Sequence, residues 1–230
     1  LIHSHERSLC HQVTTFHGPP IEPVRALRWL SRFNKRLNAW LQMERRELLG
    51  PNVQMVLPVS NSIKDELLNR YPEVINKKID LAWPGVLEPQ YDSRVTPPLK
   101  SDQARFVFVG KEWKRKGLDV AVRIVGEFRR FYPGATLTAF GVNKAALPRS
   151  IRELGWVSFQ GWVSPIPWTD FDLLLHPARK EPFGMVVVEA RSYGLPVLMS
   201  SQVGAKDFEF CDVRTLEPTA STSDWCQKAA

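Results

Sequence analysis

The sequence predicts an α/β protein in which parallel strands, covered on both faces, alternate with helices. Three observations predict it. Short, nearly continuous apolar runs such as Phe106-Val-Phe-Val109, Leu173-Leu-Leu175 and Val197-Leu-Met199 have the pattern of strands buried on both faces. Segments of helical periodicity separate them, so that strand and helix alternate along the chain. Glycine and proline punctuate the junctions, as at Gly50-Pro51, Tyr132-Pro133-Gly134 and Gly194-Leu-Pro196.

In chain order, residues 1–4 and 12–16 read as strands, followed by a break at Gly18-Pro19-Pro20. A long helix over about residues 22–49 ends at Gly50-Pro51. Residues 53–59 form a short apolar strand, and Ser60 or Asn61 caps a helix that runs to Arg70 and stops at Tyr71-Pro72. Pro84, Pro89, Pro97 and Pro98 fall in a stretch with little apolar periodicity. The expected organisation is therefore a domain over residues 1–85, a linker over 86–104 and a second domain over 105–230. In the second domain the strands are 105–110, 136–140, 157–159, 171–175 and 196–200. The intervening helices are 117–131, 143–154 around Pro148, and 183–193.

Composition sets the outer limits. The chain has 230 residues, 43% hydrophobic and 24% charged, an ordinary soluble composition. No apolar run approaches the roughly 18 residues of a membrane-spanning helix. The start, Leu1-Ile2-His3, has no Met, basic segment or cleavage site, and is expected to lie inside a domain with no signal peptide. Three widely spaced cysteines, Cys10, Cys211 and Cys226, fit a reducing compartment, with the cytoplasm as default. A net charge of +7 predicts an anionic partner without choosing among nucleic acid, phosphate ligand and lipid.

Two basic clusters matter more than the total. Arg25, Arg28, Arg32, Lys35 and Arg36 form a helical stripe interleaved with Trp29, Phe33 and Trp40. This helix either packs with a solvated basic face or rests on an anionic inner membrane leaflet, where each cation is worth about 1 kcal/mol. No nucleic-acid recognition motif accompanies it. The second cluster is the loop Lys111-Glu112-Trp113-Lys114-Arg115-Lys116, which follows a strand.

Ligands of open parallel sheets bind at the carboxyl ends of the strands, so the loops after Val109 and Leu175 are the places to look. Gly110, Lys111, Lys114, Arg115 and Lys116, next to a helix start near Gly117, compose either a phosphate site or a solvated basic loop. The second loop reads His176-Pro-Ala-Arg-Lys-Glu181-Pro-Phe183-Gly184-Met185, with Glu189 farther on. A carboxylate accepts two hydrogen bonds from a vicinal diol, so Glu181 and Glu189 could hold two sugar rings of an extended ligand. Alternatively, Glu181 complements the helix dipole and Glu189 lies on a wet face. The apolar run Val186-Val-Val188 before Glu189 favours a partly buried carboxylate in need of a partner.

The amino-terminal histidines leave a further choice. His3 and His5, with Cys10 or His11, could ligate zinc, but no paired spacing of a structural metal site is present, and a group of strand-end residues facing a polar cleft is favoured. Asp170-Phe-Asp172 has the spacing of a metal motif but belongs to the start of a strand.

Taken together, Phe108-Val-Gly-Lys-Glu-Trp-Lys-Arg-Lys-Gly117, Glu181-Pro-Phe-Gly184 through Glu189-Ala190, and Gly194-Leu-Pro-Val197 resemble family 4 (group 1) of the retaining GT-B glycosyltransferases over about residues 105–204. The His3-Ser-His-Glu-Arg to Thr15-Phe-His-Gly segment and the basic helix are most similar to the lipopolysaccharide core glucosyltransferases. The resemblance implies a Rossmann-like donor domain and a partial amino-terminal Rossmann-like domain, the chain being a fragment. It implies retaining transfer of a hexose from a nucleotide diphosphate sugar, UDP-sugar first, to a lipid-linked or oligosaccharide acceptor, with no cofactor and no metal. Lys116 would contact the donor diphosphate, and Lys111 would stand where the family usually has arginine. Glu181 would lie near the transferred sugar and Glu189 would hold the ribose. Phe183, Gly184 and Met185 would meet sugar and phosphate, Gly161 would fall near the base, and Gly110 and Arg115 would complete the donor loop. His17 would face the donor sugar from the amino-terminal domain, making His17, Lys116 and Glu181 the catalytic candidates. A non-catalytic nucleotide-binding module and a GT-B nucleotide-sugar epimerase are the alternatives.

Overall fold

Each apolar run of the second half becomes a strand of one all-parallel sheet, and the order of its strands creates the crevice in which the candidate loops meet. The computed structural model of the chain describes residues 1–6, 8, 10–21, 34–85, 103–208 and 213–229. Arg25, Arg28, Trp29, Arg32, Phe33, Cys211 and most of the expected linker lie outside the described residues. The chain divides into two compact units, Leu1–Pro84 and Gly85–Ala230. Ala104, which the sequence suggests is part of the connection, is fully buried in the core of the second unit.

The first unit holds a four-stranded parallel sheet in the order β1 (His3–Ser4), β2 (Val13–Phe16), β3 (Met55–Pro58), β4 (Lys78–Ile79). Helix α1 (Lys35–Leu49) precedes β3, and its start is capped by the Asn34 side chain, which accepts from the Leu37 amide. Helix α2 (Asn61–Arg70) follows β3, and the Ser60 hydroxyl caps it by accepting from the Ile63 amide.

The buried side of α1 is built largely from acidic residues, which the sequence did not single out. Trp40 and Met43 are 46% and 44% exposed, whereas Glu44, Glu47 and Leu48 are buried. The Arg36 guanidinium lies 5.4 Å from the Trp40 ring centre, and both Lys35 and Arg36 are exposed. The buried glutamates are supplied with donors from far along the chain. Glu44 accepts from the Ile21 amide at 3.0 Å and the Tyr71 hydroxyl at 2.8 Å, and Glu47 accepts from the Thr14 hydroxyl at 3.0 Å. Burial and the Glu44 contact push the Tyr71 phenol up to about 12.

The second unit holds a six-stranded parallel sheet in the order β10 (Val213–Leu216), β9 (Val197–Ser200), β8 (Leu173–His176), β5 (Arg105–Val109), β6 (Thr136–Phe140), β7 (Val157–Gly161). After β5 the chain builds outward through β6 and β7, then returns so that β8 pairs with β5 on its other edge, Phe106 opposite Leu173. That reversal between β5 and β8 is the topological switch point, where a parallel sheet opens a crevice at its carboxyl edge.

A short helical turn, α3 (Trp113–Lys116), occupies the basic segment expected to be loop, and α4 (Leu118–Phe128) follows. Helix α4 buries Leu118, Ala121, Ile124 and Val125 against the sheet. The helix expected over residues 143–154 is broken at Pro148 into a 3-10 turn, Lys144–Ala146, and α5 (Arg149–Arg152). Helix α6 (Met185–Ser192) joins β8 to β9, and α7 (Thr222–Ala229) buries Trp225 in the core cluster with Ile124 and Phe106. No helix among the described residues is long and apolar enough to cross a membrane.

Candidate functional site

The carboxyl edge of β5 runs straight into Gly110 and Lys111, which line a cavity of about 570 Å³ together with Gly141 from the end of β6 and Met185, Glu189 and Tyr193 from the α6 region. A loop not singled out in the sequence closes one side of it. Trp162, Val163, Ser164, Pro165, Ile166 and Trp168 all line the cavity, and Trp162 is 85% exposed. Its signal was the aromatic and proline-rich run directly after Gly161, whose carbonyl is taken by the Gly141 amide.

The basic segment is held by packing as well as by charge. The stem of Lys116 lies over Gly110, where an added Cβ would fall 2.3 Å from Lys116 Cδ. Gly117 adopts φ +82°, a left-handed conformation that ends α3 and starts α4. The helix opening on the cavity is α6, whose first residue Met185 lines it; no side chain caps its start after Gly184, φ +99°. Asp119, in the first turn of α4, pairs with Arg179 at 2.6 Å.

Glu181 forms a compact ionic group with residues of the basic turn. Its Oε2 receives Arg115 Nη1 at 3.1 Å and Lys116 Nζ at 3.2 Å, and its side chain is 11% exposed. Arg115 also forks onto Glu112 at 2.9 and 3.2 Å and donates to the Lys180 carbonyl at 2.7 Å. The Glu112 carboxyl is thereby held below the usual carboxylate range, chiefly by its hydrogen bond from Arg115. The backbone of Glu181 bridges to Val203, and this fixes the loop that carries the carboxylate. Glu189 differs: burial pushes its carboxyl up, Lys116 opposes that shift, and among the described residues no hydrogen bond closes on it.

His176, at the end of β8, was not chosen from the sequence. It is fully buried, its Nε2 lies 3.9 Å from Glu181 Oε2, and neither ring nitrogen has a hydrogen-bond partner. Burial first, then the charges of Lys116 and Arg115, lower its pKa to about 3. The unfolded chain, with an ordinary value of 6.5, then binds a proton that the folded chain refuses, so this residue's share of stability is present above 6.5 and lost as pH falls toward 3. Urea unfolding across that window should show a falling midpoint in the wild type and a flatter dependence in His176→Gln; parallel curves for the two proteins would contradict it.

The remaining expected residues divide as follows. Gly110, Lys111, Met185 and Glu189 share the cavity, and Lys116 and Glu181 meet beside it. Arg115 lines a separate shallow groove with Trp113 and Arg179. The Phe183 side chain is buried in the core and its carbonyl accepts from the Ala205 amide at 2.7 Å. Asp170 and Asp172 are at the opposite edge of the sheet: Asp172 is bound to Arg105 at 2.9 Å, at the amino end of β5.

In the first unit, His5, Glu6, Thr15, His17 and Met43 help line a cavity of about 430 Å³. His5 Nδ1 and His17 Nε2 are 3.2 Å apart, and His3 Nε2 is 2.8 Å from the Thr15 hydroxyl. Burial and then the neighbouring His5 and His3 lower the pKa of His17. His11 is a satisfied core histidine between the Ser8 hydroxyl at 2.7 Å and the Glu47 carbonyl at 2.9 Å. Among the described residues, no group of three His, Cys, Asp or Glu is arranged to hold a metal.

Comparison with known proteins places this geometry. Residues 103–214 match the family model described as "Glycosyl transferases group 1". A glycogen synthase of Mycobacterium tuberculosis is 26% identical over 242 aligned residues, covering 89% of this chain and 52% of the relative. The chain thus spans about half the length of that relative. Among solved structures, WaaG, a glycosyltransferase involved in lipopolysaccharide biosynthesis, superposes with a TM-score of 0.70 at 20% identity, over 95% of this chain and 64% of its own. The lipopolysaccharide outer core galactosyltransferase WaaB gives 0.61 at 19% identity, over 96% and 65%. The α/β architecture is that of the GT-B glycosyltransferases.

Proposed function

We propose that the protein, whose residues 103–214 match the group 1 glycosyltransferase model, transfers a hexose from a nucleoside diphosphate sugar, UDP-sugar first, to a lipid-linked or oligosaccharide acceptor with retention of configuration. One observation carries the donor side of this reading. Lys111 and the half-buried Glu189 share one cavity at the carboxyl end of β5, with Lys116 alongside. A diphosphate is drawn to the lysines and to the open start of α6, while the ribose hydroxyls offer donors to Glu189. The missing Cβ of Gly110 makes room for the Lys116 stem, and Gly110 and Gly141 both line the cavity.

The chemistry asked of the chain is electrostatic. As the bond between the sugar and the diphosphate breaks, negative charge grows on the leaving group, and Lys116, Lys111 and the α6 amides stabilise it. A phosphate oxygen can take the acceptor proton, so the scheme requires no separate protein base. Glu181 is assigned to the transferred sugar, and His17 is the catalytic candidate of the amino-terminal unit. WaaG, named for lipopolysaccharide biosynthesis, motivates the acceptor class, and the three widely spaced cysteines motivate a cytoplasmic setting. Lys35 and Arg36, with Arg25, Arg28 and Arg32, are assigned to an anionic membrane surface; co-sedimentation with vesicles that ignores their anionic lipid content would remove that assignment.

Calorimetry with uridine diphosphate followed by turnover with a panel of nucleotide sugars tests the reading in the full-length protein. Binding without transfer favours a non-catalytic module, and an isomerised sugar without glycoside favours an epimerase. Glu189→Ala is expected to weaken uridine diphosphate binding by about 10- to 100-fold, the value of hydrogen bonds to a charged group. Unchanged affinity would remove Glu189 from the ribose.

A further inference from the structure

We propose that His176 is a positioning residue for Glu181, its Nε2–H taking the Glu181 carboxylate when Lys116 turns from that carboxylate to a bound diphosphate. The inference rests on the donor reading above and adds a residue and a change of partners to it.

Three groups converge on one oxygen. Arg115 Nη1 and Lys116 Nζ contact Glu181 Oε2 at 3.1 and 3.2 Å, and His176 Nε2 stands behind them at 3.9 Å. The imidazole is fully buried with both nitrogens unpartnered, a costly arrangement for a ring that has one N–H to give and one lone pair to receive. The Glu181 carboxylate, 3.9 Å from Nε2, is an acceptor within reach of a small shift. While both cations hold Oε2, it has no need of the imidazole.

A diphosphate changes the balance. It carries more charge than a carboxylate, and Lys116, whose stem lies over Gly110, is placed to swing its ammonium between the two. Glu181, with only 11% of its side chain exposed, would then be left with little solvent and fewer counter-charges. A closure of less than about 1 Å brings His176 Nε2 within hydrogen-bond range. The ring stays neutral because burial and the two cations disfavour its protonated form, so it donates without adding a charge that competes for the diphosphate. The Glu181 backbone, bridged to Val203, keeps the loop in place while its partners exchange.

The test uses full-length protein containing ¹⁵N-labelled histidine, titrated with uridine diphosphate. His176, identified by the signal lost in His176→Gln, is expected to show a shifted Nε2 resonance and slower N–H exchange on saturation. His176→Met, which removes the donor, should lower kcat about tenfold or more at unchanged uridine diphosphate affinity, whereas His176→Gln, which keeps an N–H, should recover most of it. Unmoved His176 resonances in a saturated wild-type protein overturn the inference alone, as does equal impairment of the two variants. A wild-type protein that binds no uridine diphosphate, and no other nucleoside diphosphate, overturns the donor reading and this inference with it.

Discussion

Replacing Lys116 by alanine is expected to lower kcat/KM for the sugar donor by about 10² to 10³, the loss found when one preorganised charge is removed from a developing anion. The geometry makes this substitution more telling than its neighbours. Arg115 is committed to Glu112, Glu181 and the Lys180 carbonyl, and Lys111 lies at the cavity without the Gly110 contact that steadies Lys116. Lys116→Arg should recover only part of the loss, because a planar guanidinium needs more room than an ammonium whose stem already fills the space above Gly110. Steady-state kinetics on the full-length enzyme give the result directly; near-wild-type turnover in Lys116→Ala would sink the site assignment.

Gly117→Ala is expected to produce the largest loss of stability from adding a single carbon. Its φ of +82° costs an L-residue about 1–2 kcal/mol. Beyond that, the new Cβ would fall 2.0 Å from the Pro177 carbonyl oxygen, an overlap with backbone that no side-chain rotation relieves. Overpacking of this kind adds roughly 1–3 kcal/mol, for a total near 3 kcal/mol. The urea midpoint of the variant should fall accordingly, and an unchanged midpoint would show that the β8 loop yields without cost. Gly117 joins the basic turn to the loop after β8, so Lys116 and Glu181 should lose their alignment in the same variant.

Much of this architecture was legible in the residues because burial on both faces leaves a simple mark. Val197–Ser200 is buried throughout and falls within the expected strand 196–200, and Thr136–Phe140, stopped by Gly141, has the expected bounds. The missed elements left weaker marks. Strand β10 offers only Val213 and Leu216 as apolar residues, β4 is two residues long, and α7 is anchored in the core cluster by Trp225 with Ala229. Pro148 was read as tolerated inside a helix, but it lacks the amide needed there and splits the segment.

The site divides in the same way. Gly110, Lys111, Lys116, Glu181 and Glu189 were singled out by their place after buried strands and by the motif resemblance; Gly110, Lys111 and Glu189 share one cavity, and Lys116 and Glu181 are in contact. Partnerships remained hidden. That Glu44 would be buried depends on Tyr71 and Ile21, distant in sequence, and no periodicity within α1 reports them. His176 was concealed by its place at the end of the run Leu173-Leu-Leu175, where a polar residue could have been read as the first exposed one.

The reversal of strand order also has a kinetic side. The crevice lies between β5 and β8, strands adjacent in the sheet but separated along the chain by the whole of β6, β7 and their connections. Non-local parallel pairing of this kind pays its loop-closure entropy before any contact rewards it, so it forms slowly. A nascent chain that has emerged only as far as β7 can assemble half a sheet, yet it possesses no ligand pocket. On the proposed donor reading, nucleotide would have nothing to bind until the return strand is seated, and its binding energy would stabilise the completed sheet rather than any early piece of it.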